Sequence, residues 1–302
     1  MTGFLFLSTV LIWGTTWLAI SMQIGPVPVV TSVFWRFAVA AVVLMGWLAL
    51  TRRLHWPARR DIGWLVLQGL CIFGLNFVLI YTAESHIAGG LVSVIFSLAT
   101  LFNAVNARLF FGERITARMV LAALVGVSGL VAMFWRDVTA SGLAGDTLRG
   151  IAFAAAGTYC FSLGNMVSRR NSCAGLPVMV SNGWGMTFGA LLLALAVAVS
   201  GAPFAPPPDG RWLGAMAYLA LVGSIGGFGA YLGLVARIGP ARAAYCTVMF
   251  PAVALALSWA FEGYVWHWQA GLGLALVSLG NVIVFARLPR RRAAVSSALP
   301  AE

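Results

Sequence analysis

Apolar residues run along this chain in stretches of about twenty, separated by short groups rich in Gly, Pro, Asp and Arg. A bilayer's hydrocarbon core is crossed by about 20 helical residues, each rising 1.5 Å. Ten stretches meet that length: 3–22, 29–50, 62–82, 87–110, 116–135, 148–168, 177–199, 212–235, 241–261 and 266–286. The breakers between them are Gly25-Pro26-Val27-Pro28, Arg52 to Asp61, Ala205-Pro206-Pro207-Pro208-Asp209-Gly210 and Gly239-Pro240. No connection is long enough to hold a soluble domain. The pattern predicts an all-α membrane protein of ten transmembrane helices, each satisfying its own backbone hydrogen bonds as lipid requires.

Composition agrees. Of 302 residues 61% are hydrophobic and 9% charged, where a soluble domain of this size carries roughly a quarter charged. The net charge of +11 would suit a nucleic-acid partner only if it clustered on a soluble face. Here all 19 basic residues are Arg, nearly all between apolar runs or at their ends, so no nucleic-acid partner is expected. Cys71, Cys160, Cys173 and Cys246 show no C-x-x-C spacing, which argues against a disulfide or metal framework. The first apolar run lacks a basic flank and an A-x-A site and reads as a retained helix, not a signal peptide.

Arg placement sets an orientation. With both termini cytoplasmic, fifteen Arg fall on the inner side and only Arg136, Arg149 and Arg211 on the outer. That bias requires an even number of spans. A shift of 151 residues then aligns 26–136 with 177–287 without a gap, placing Phe37 on Phe188, Phe77 on Phe228, Gly112 on Gly263 and Gly129 on Gly280. Five spans per half is odd, so the second half enters from the opposite side. The expectation is two inverted five-helix repeats around a central cavity: 1–136, a connecting loop 137–147, and 148–287, followed by a cytoplasmic basic tail 288–302 that is partly disordered. Inverted repeats rocking about a midplane site are a hallmark of secondary transporters.

Several motifs carry a resemblance. Trp13-Gly14-Thr15-Thr16-Trp17 opens the chain, Leu109-Phe110-Phe111-Gly112-Glu113-Arg114 ends the fourth span, and Phe250-Pro251 precedes Tyr264 by a familiar interval. Together they resemble the drug/metabolite transporter superfamily, in its EamA-type ten-helix branch. Two departures concern local helix geometry: Ser97 to Thr100 stand where the family usually has Pro, and Tyr264 replaces an expected Glu. The resemblance implies alternating-access export of amino acids or related metabolites through a bacterial inner membrane, similar to the aromatic and broad amino acid exporters. It also implies that spans 1, 3, 4, 6, 8 and 9 surround the cavity.

Candidate cavity residues are polar or aromatic side chains far from the span ends: Trp17, Asn76, Tyr81, Ser93, Ser97, Thr100, Tyr159, Tyr245 and Thr247, with Asn103, Ser162 and Asn165 beside them. The competing reading makes each a helix-packing hydrogen bond of about 0.6 kcal/mol. Arg36 lies about eight residues inside its span, where a lone Arg costs about 2.5–3.5 kcal/mol on insertion scales. It either binds a substrate carboxylate or pairs structurally with Glu84. Gly89, Gly90, Gly226 and Gly227 read as packing seams or hinges, and Glu113 as a structural cap held by Arg108. No Asp or Glu falls at mid-depth, which favours uncoupled export over a proton relay.

No cofactor or metal is expected: His55, His86 and His267 lack ligand spacing, and no nucleophile–base pair supports a membrane-embedded enzyme. The partners expected are a small-molecule substrate and the bilayer, with a monomer the simplest state. A channel or scaffold is the other class left open. Among carriers, an exporter of lipophilic cations or drugs is the alternative, needing a carboxylate in an aromatic cage.

Overall fold

The computed structural model describes residues 2–139, 144–238 and 246–285. Among these, all regular structure is helical. Ten helices follow one another: α1 Thr2–Ser21, α2 Val29–Leu50, α3 Arg59–Glu84, α4 Gly89–Phe111, α5 Ala117–Thr139, α6 Ala144–Cys173, α7 Val178–Ser200, α8 210–238, α9 Cys246–Phe261 and α10 Trp268–Phe285. Eight contain segments long and apolar enough to cross a membrane, and α9 and α10 contain shorter apolar ones. Large apolar side chains such as Leu50, Leu109, Leu124, Leu191 and Val199 stand exposed on the outside, as lipid-facing surfaces do.

The helices match the expected stretches except around the middle connection. Residues 137–139 and 144–147, expected as loop, are helical. Asp146 lies in the first turn of α6, where the helix dipole favours an anion. At its other end α6 continues through Arg169, Arg170 and Asn171, because Arg170 and Asn171 find buried partners. Arg170 Nη1 donates to Asp61 Oδ1 at 2.6 Å, and Asn171 Nδ2 donates to Gln68 Oε1 at 2.8 Å. The tail 288–302 lies outside the described residues.

Three of the spans are not plain α-helices. α3 widens to a π-helix over Gly69–Leu75 and α8 over Tyr218–Gly226, segments that overlap under the 151-residue shift. In α8 the wider turn lets Ser224 Oγ donate to Leu219 O at 2.9 Å. α4 is interrupted at Ser97–Leu98, whose amides bond three residues back, to Val94 and Ile95. This break arises without the proline of the resembled family. Gly112 and Gly263, also 151 apart, both take left-handed φ, 69° and 71°, a conformation glycine adopts without steric cost.

Packing partners also recur across the halves. α2 packs on α7 and α5 on α10, while α3 against α6 and α7 is matched by α8 against α1 and α2. The α5–α10 seam is closed by small residues. A Cβ on Gly129 would stand 2.8 Å from Gly273 O, and one on Gly280 would stand 2.7 Å from Ala122 O. Such close backbone approach is the usual means of helix association in lipid.

Candidate functional site

α1, α2, α3, α4, α6, α8 and α9 enclose a cavity of about 570 Å³, with Met119 of α5 at its edge. Its walls are largely aromatic: Trp13, Trp17, Phe77, Phe96, Phe161, Phe228, Tyr231 and Phe250. Trp17 stacks on Phe250 (6.1 Å between centroids, 18°) and meets Phe96 edge-on (5.6 Å, 65°), joining α1, α4 and α9 in one cluster. Polar groups interrupt this wall at Thr16, Asn76, Ser97, Thr100, Asn103, Asn165 and Thr247. An apolar cavity with a few convergent polar groups is how proteins hold small organic molecules.

Helix direction puts Arg36 at one end of the cavity and Glu113 and Arg169 at the other. At the latter end Arg169 Nη2 stands 2.7 Å from Glu113 Oε1, with both side chains nearly half exposed, so the cavity meets solvent there. Arg169 also lies over the Phe111 ring at 4.3 Å. The expected partner of Glu113, Arg108, instead donates to Gly112 O at 3.4 Å. The Glu is held across the mouth by α6, not along its own helix.

Arg36 is 3% exposed. Its Nε donates to Ser224 Oγ and its Nη1 to Tyr81 Oη, both at 3.4 Å. The guanidinium lies 4.3 Å from the Phe77 centroid, and Tyr81 in turn donates to Gln23 Oε1 at 2.8 Å. The π-helical turn of α8 is what carries Ser224 to this position. Arg36 and Glu84 do not form the expected pair: among the described residues no carboxylate lies within 4.0 Å of Arg36. Neither oxygen of Glu84 has a hydrogen-bond partner. Of the charged groups that the described residues place on the cavity wall, Glu113 and Arg169 neutralise each other, leaving Arg36.

The end opposite the mouth is shut by α4 against α9. Gly89 N–H donates to Glu262 Oε2 at 3.1 Å and Gly90 N–H to Ser258 Oγ at 2.7 Å. A Cβ on Gly90 would stand 2.6 Å from Leu255 Cα, so this glycine is a packing contact between the two helices. Gly227 likewise meets Trp13, whose ring atom Cδ1 is 3.0 Å from a Cβ there. Gly226 faces only its own helix.

Of the candidate residues, Trp17, Asn76, Ser97, Thr100 and Thr247 line the cavity, as do Asn103 and Asn165. Tyr81 is fully buried in the Arg36 network, behind the wall. Ser93 donates to Gly90 O at 2.5 Å within the closed end. Tyr159 is on the outside, 40% exposed, edge-on to Phe102 at 5.5 Å. Ser162 accepts from Asn106 at 2.9 Å, and Tyr245 lies outside the described residues. Sequence reasoning missed Glu262. Its signal was an acidic residue where the 151-residue shift places apolar Phe111.

The sequence matches the EamA-like transporter family over residues 1–135 and 148–286. It is 30% identical to a probable terminal-alkyne amino-acid exporter of Streptantibioticus cattleyicolor, over 95% of this chain and 94% of that one. It is 25% identical to the uncharacterized inner membrane transporter YedA of Escherichia coli, over 91% and 87%. Protein PagO of Salmonella typhimurium is 23% identical, over 97% and 94%. A crystal structure 21% identical in sequence superposes with a TM-score of 0.65, covering 94% of this chain and 96% of the other, which is a likeness of fold.

Proposed function

Because the chain belongs to the EamA-like transporter family, we propose that it exports small carboxylate-bearing metabolites, amino acids above all, across a bacterial inner membrane by alternating access. The observation that carries this reading is Arg36, a buried cation on the cavity wall with no carboxylate within 4.0 Å among the described residues. A solute carboxylate would complete its charge and hydrogen bonding, and the aromatic wall would take an apolar side chain. The amino-acid exporter among the relatives supports the same class. A lipophilic cation fits less well, because Glu113, the one carboxylate among the described residues lining the cavity, is already paired with Arg169.

Two inverted halves would supply the motion. The overlapping π-segments, the left-handed glycines 151 apart and the recurring packing partners support that repeat. With both termini cytoplasmic, the Glu113–Arg169 mouth faces the cytoplasm and the cavity stands ready for loading. Counterflow tests the proposal. Proteoliposomes preloaded with an unlabelled amino acid that thermally stabilises the purified protein should accumulate its labelled form transiently. Simple leakage would indicate a pore, release of an altered product would indicate an enzyme, and either result refutes the reading.

A further inference from the structure

Glu84, at the end of α3, is 9% exposed, and both of its carboxylate oxygens are buried without a hydrogen-bond partner. A Cβ placed on Gly89 would stand 3.1 Å from Glu84 Oε2, and the amide of that same glycine donates to Glu262 Oε2 at 3.1 Å. Glu262 Oε1 is also buried and unpartnered. Two carboxylates from different halves of the chain therefore close on one glycine, where three of their four oxygens have no hydrogen-bond partner. Two carboxylates brought together out of water repel each other, and a proton held between them relieves that repulsion. A carboxyl retaining its proton needs no cation beside it.

The geometry points to a proton-binding site made by Glu84 and Glu262, filled while this end of the cavity is shut and emptied to the same side when it opens. It rests on the reading that this end is a gate, but not on which solute passes. The charged and titratable surroundings are few. Arg36 faces Glu84 from α2, and Tyr81 lies on α3 itself. With one proton on the pair, a single negative charge remains between the two side chains. α1 presents the Trp17 carbonyl, α4 its Gly89 and Gly90 amides, and α9 the Ser258 hydroxyl. Tyr264 follows α9. Towards α6 stands His86, 3.6 Å from Asp146, which Arg149 also holds at 3.3 Å. The gate contact itself is the start of α4, whose first amides are taken by α9. Parting the two helices hydrates both carboxylates, and the proton leaves.

A single proton held shut and lost on opening makes the opening equilibrium grow by about tenfold per pH unit wherever the pair titrates. Hydrogen–deuterium exchange of the peptide spanning 86–93, in the full chain in nanodiscs between pH 5.5 and 8.5, reads this after correction for intrinsic exchange. Wild type should lose protection by at least tenfold across the range. Glu84→Gln and Glu262→Gln, each a neutral isostere of the protonated acid, should stay protected and flat, while His86→Gln should keep the wild-type slope. A flat wild-type profile overturns the site and needs no variant to be made. So does a slope that survives in either Glu variant, or one lost in His86→Gln. Exchange is measured without solute, so failure of counterflow would count against the transport reading and leave this result standing.

Discussion

Arg36→Met separates recognition from support. The wild-type side chain makes two hydrogen bonds at 3.4 Å, a length at which they are weak, and one contact with the Phe77 face worth about 0.5–2 kcal/mol. Removing it strands no partner: Tyr81 keeps Gln23 and Ser224 keeps Leu219 O. Against those losses stands relief of the roughly 2.5–3.5 kcal/mol that a lone Arg costs inside a span. The balance lies near zero, so yield and melting temperature should change little. Binding should behave otherwise. A hydrogen bond to a charged group contributes about 1.5–3 kcal/mol, and a fork of two on one carboxylate about 3–4 kcal/mol, or at least a hundredfold in affinity. Arg36→Lys, keeping charge without the fork, should lose about tenfold. The assay compares a stabilising amino acid with its carboxamide by ligand-induced thermal shift: wild type should discriminate strongly and Arg36→Met hardly at all. Equal discrimination by both proteins, or collapse of the Met variant's yield, would refute the assignment.

Other consequences can be measured on the same material. Gly227→Leu drives a side chain into Trp13 and should lower the yield of folded protein, at an overpacking cost of about 1–3 kcal/mol. Gln68 bonds Asn171, Ser181 and Asn182 at 2.7–3.0 Å. Gln68→Leu should therefore cost about 2–5 kcal/mol by leaving buried polar groups unpaired, read as a large drop in melting temperature. Glu113→Arg sets two cations at the mouth and should slow counterflow, with the exchanged pair Glu113→Arg/Arg169→Glu restoring it. Their solvent exposure limits the stability effect of either change to about 1 kcal/mol.

The fold was legible because lipid imposes a length: ten apolar stretches became ten helices, with boundaries shifted by a few residues. The sixth was read short because Arg169-Arg170-Asn171 look like a loop, and only the tertiary partners Glu113, Asp61 and Gln68 reveal why they stay helical. The site was half legible. Residues far from span ends are the right class, and Trp17, Asn76, Ser97, Thr100 and Thr247 line the cavity. Which face each presents depends on helical phase, however, and the π-segment just before Asn76 changes that phase. Tyr81 accordingly sits behind the wall. Tyr159 fails for a plainer reason, since an exposed aromatic and a cavity aromatic look alike in one sequence. Glu262 sits one residue past a helix end, where acidic residues are ordinarily solvated. It is held instead by the Gly89 amide of α4, which no local pattern announces.

The interruption of α4 at Ser97–Leu98 has a mechanical corollary. Its counterpart in the other half, α9, carries Pro251 inside the helix, and proline has permanently surrendered an amide. α4 has surrendered nothing: every amide from Ser97 to Thr100 is present, so straightening it would restore ordinary helical bonding at that point. One helix thus lacks an amide for good while the other keeps all of its own, and a cycle driven by such unlike helices need not rest midway between its extremes.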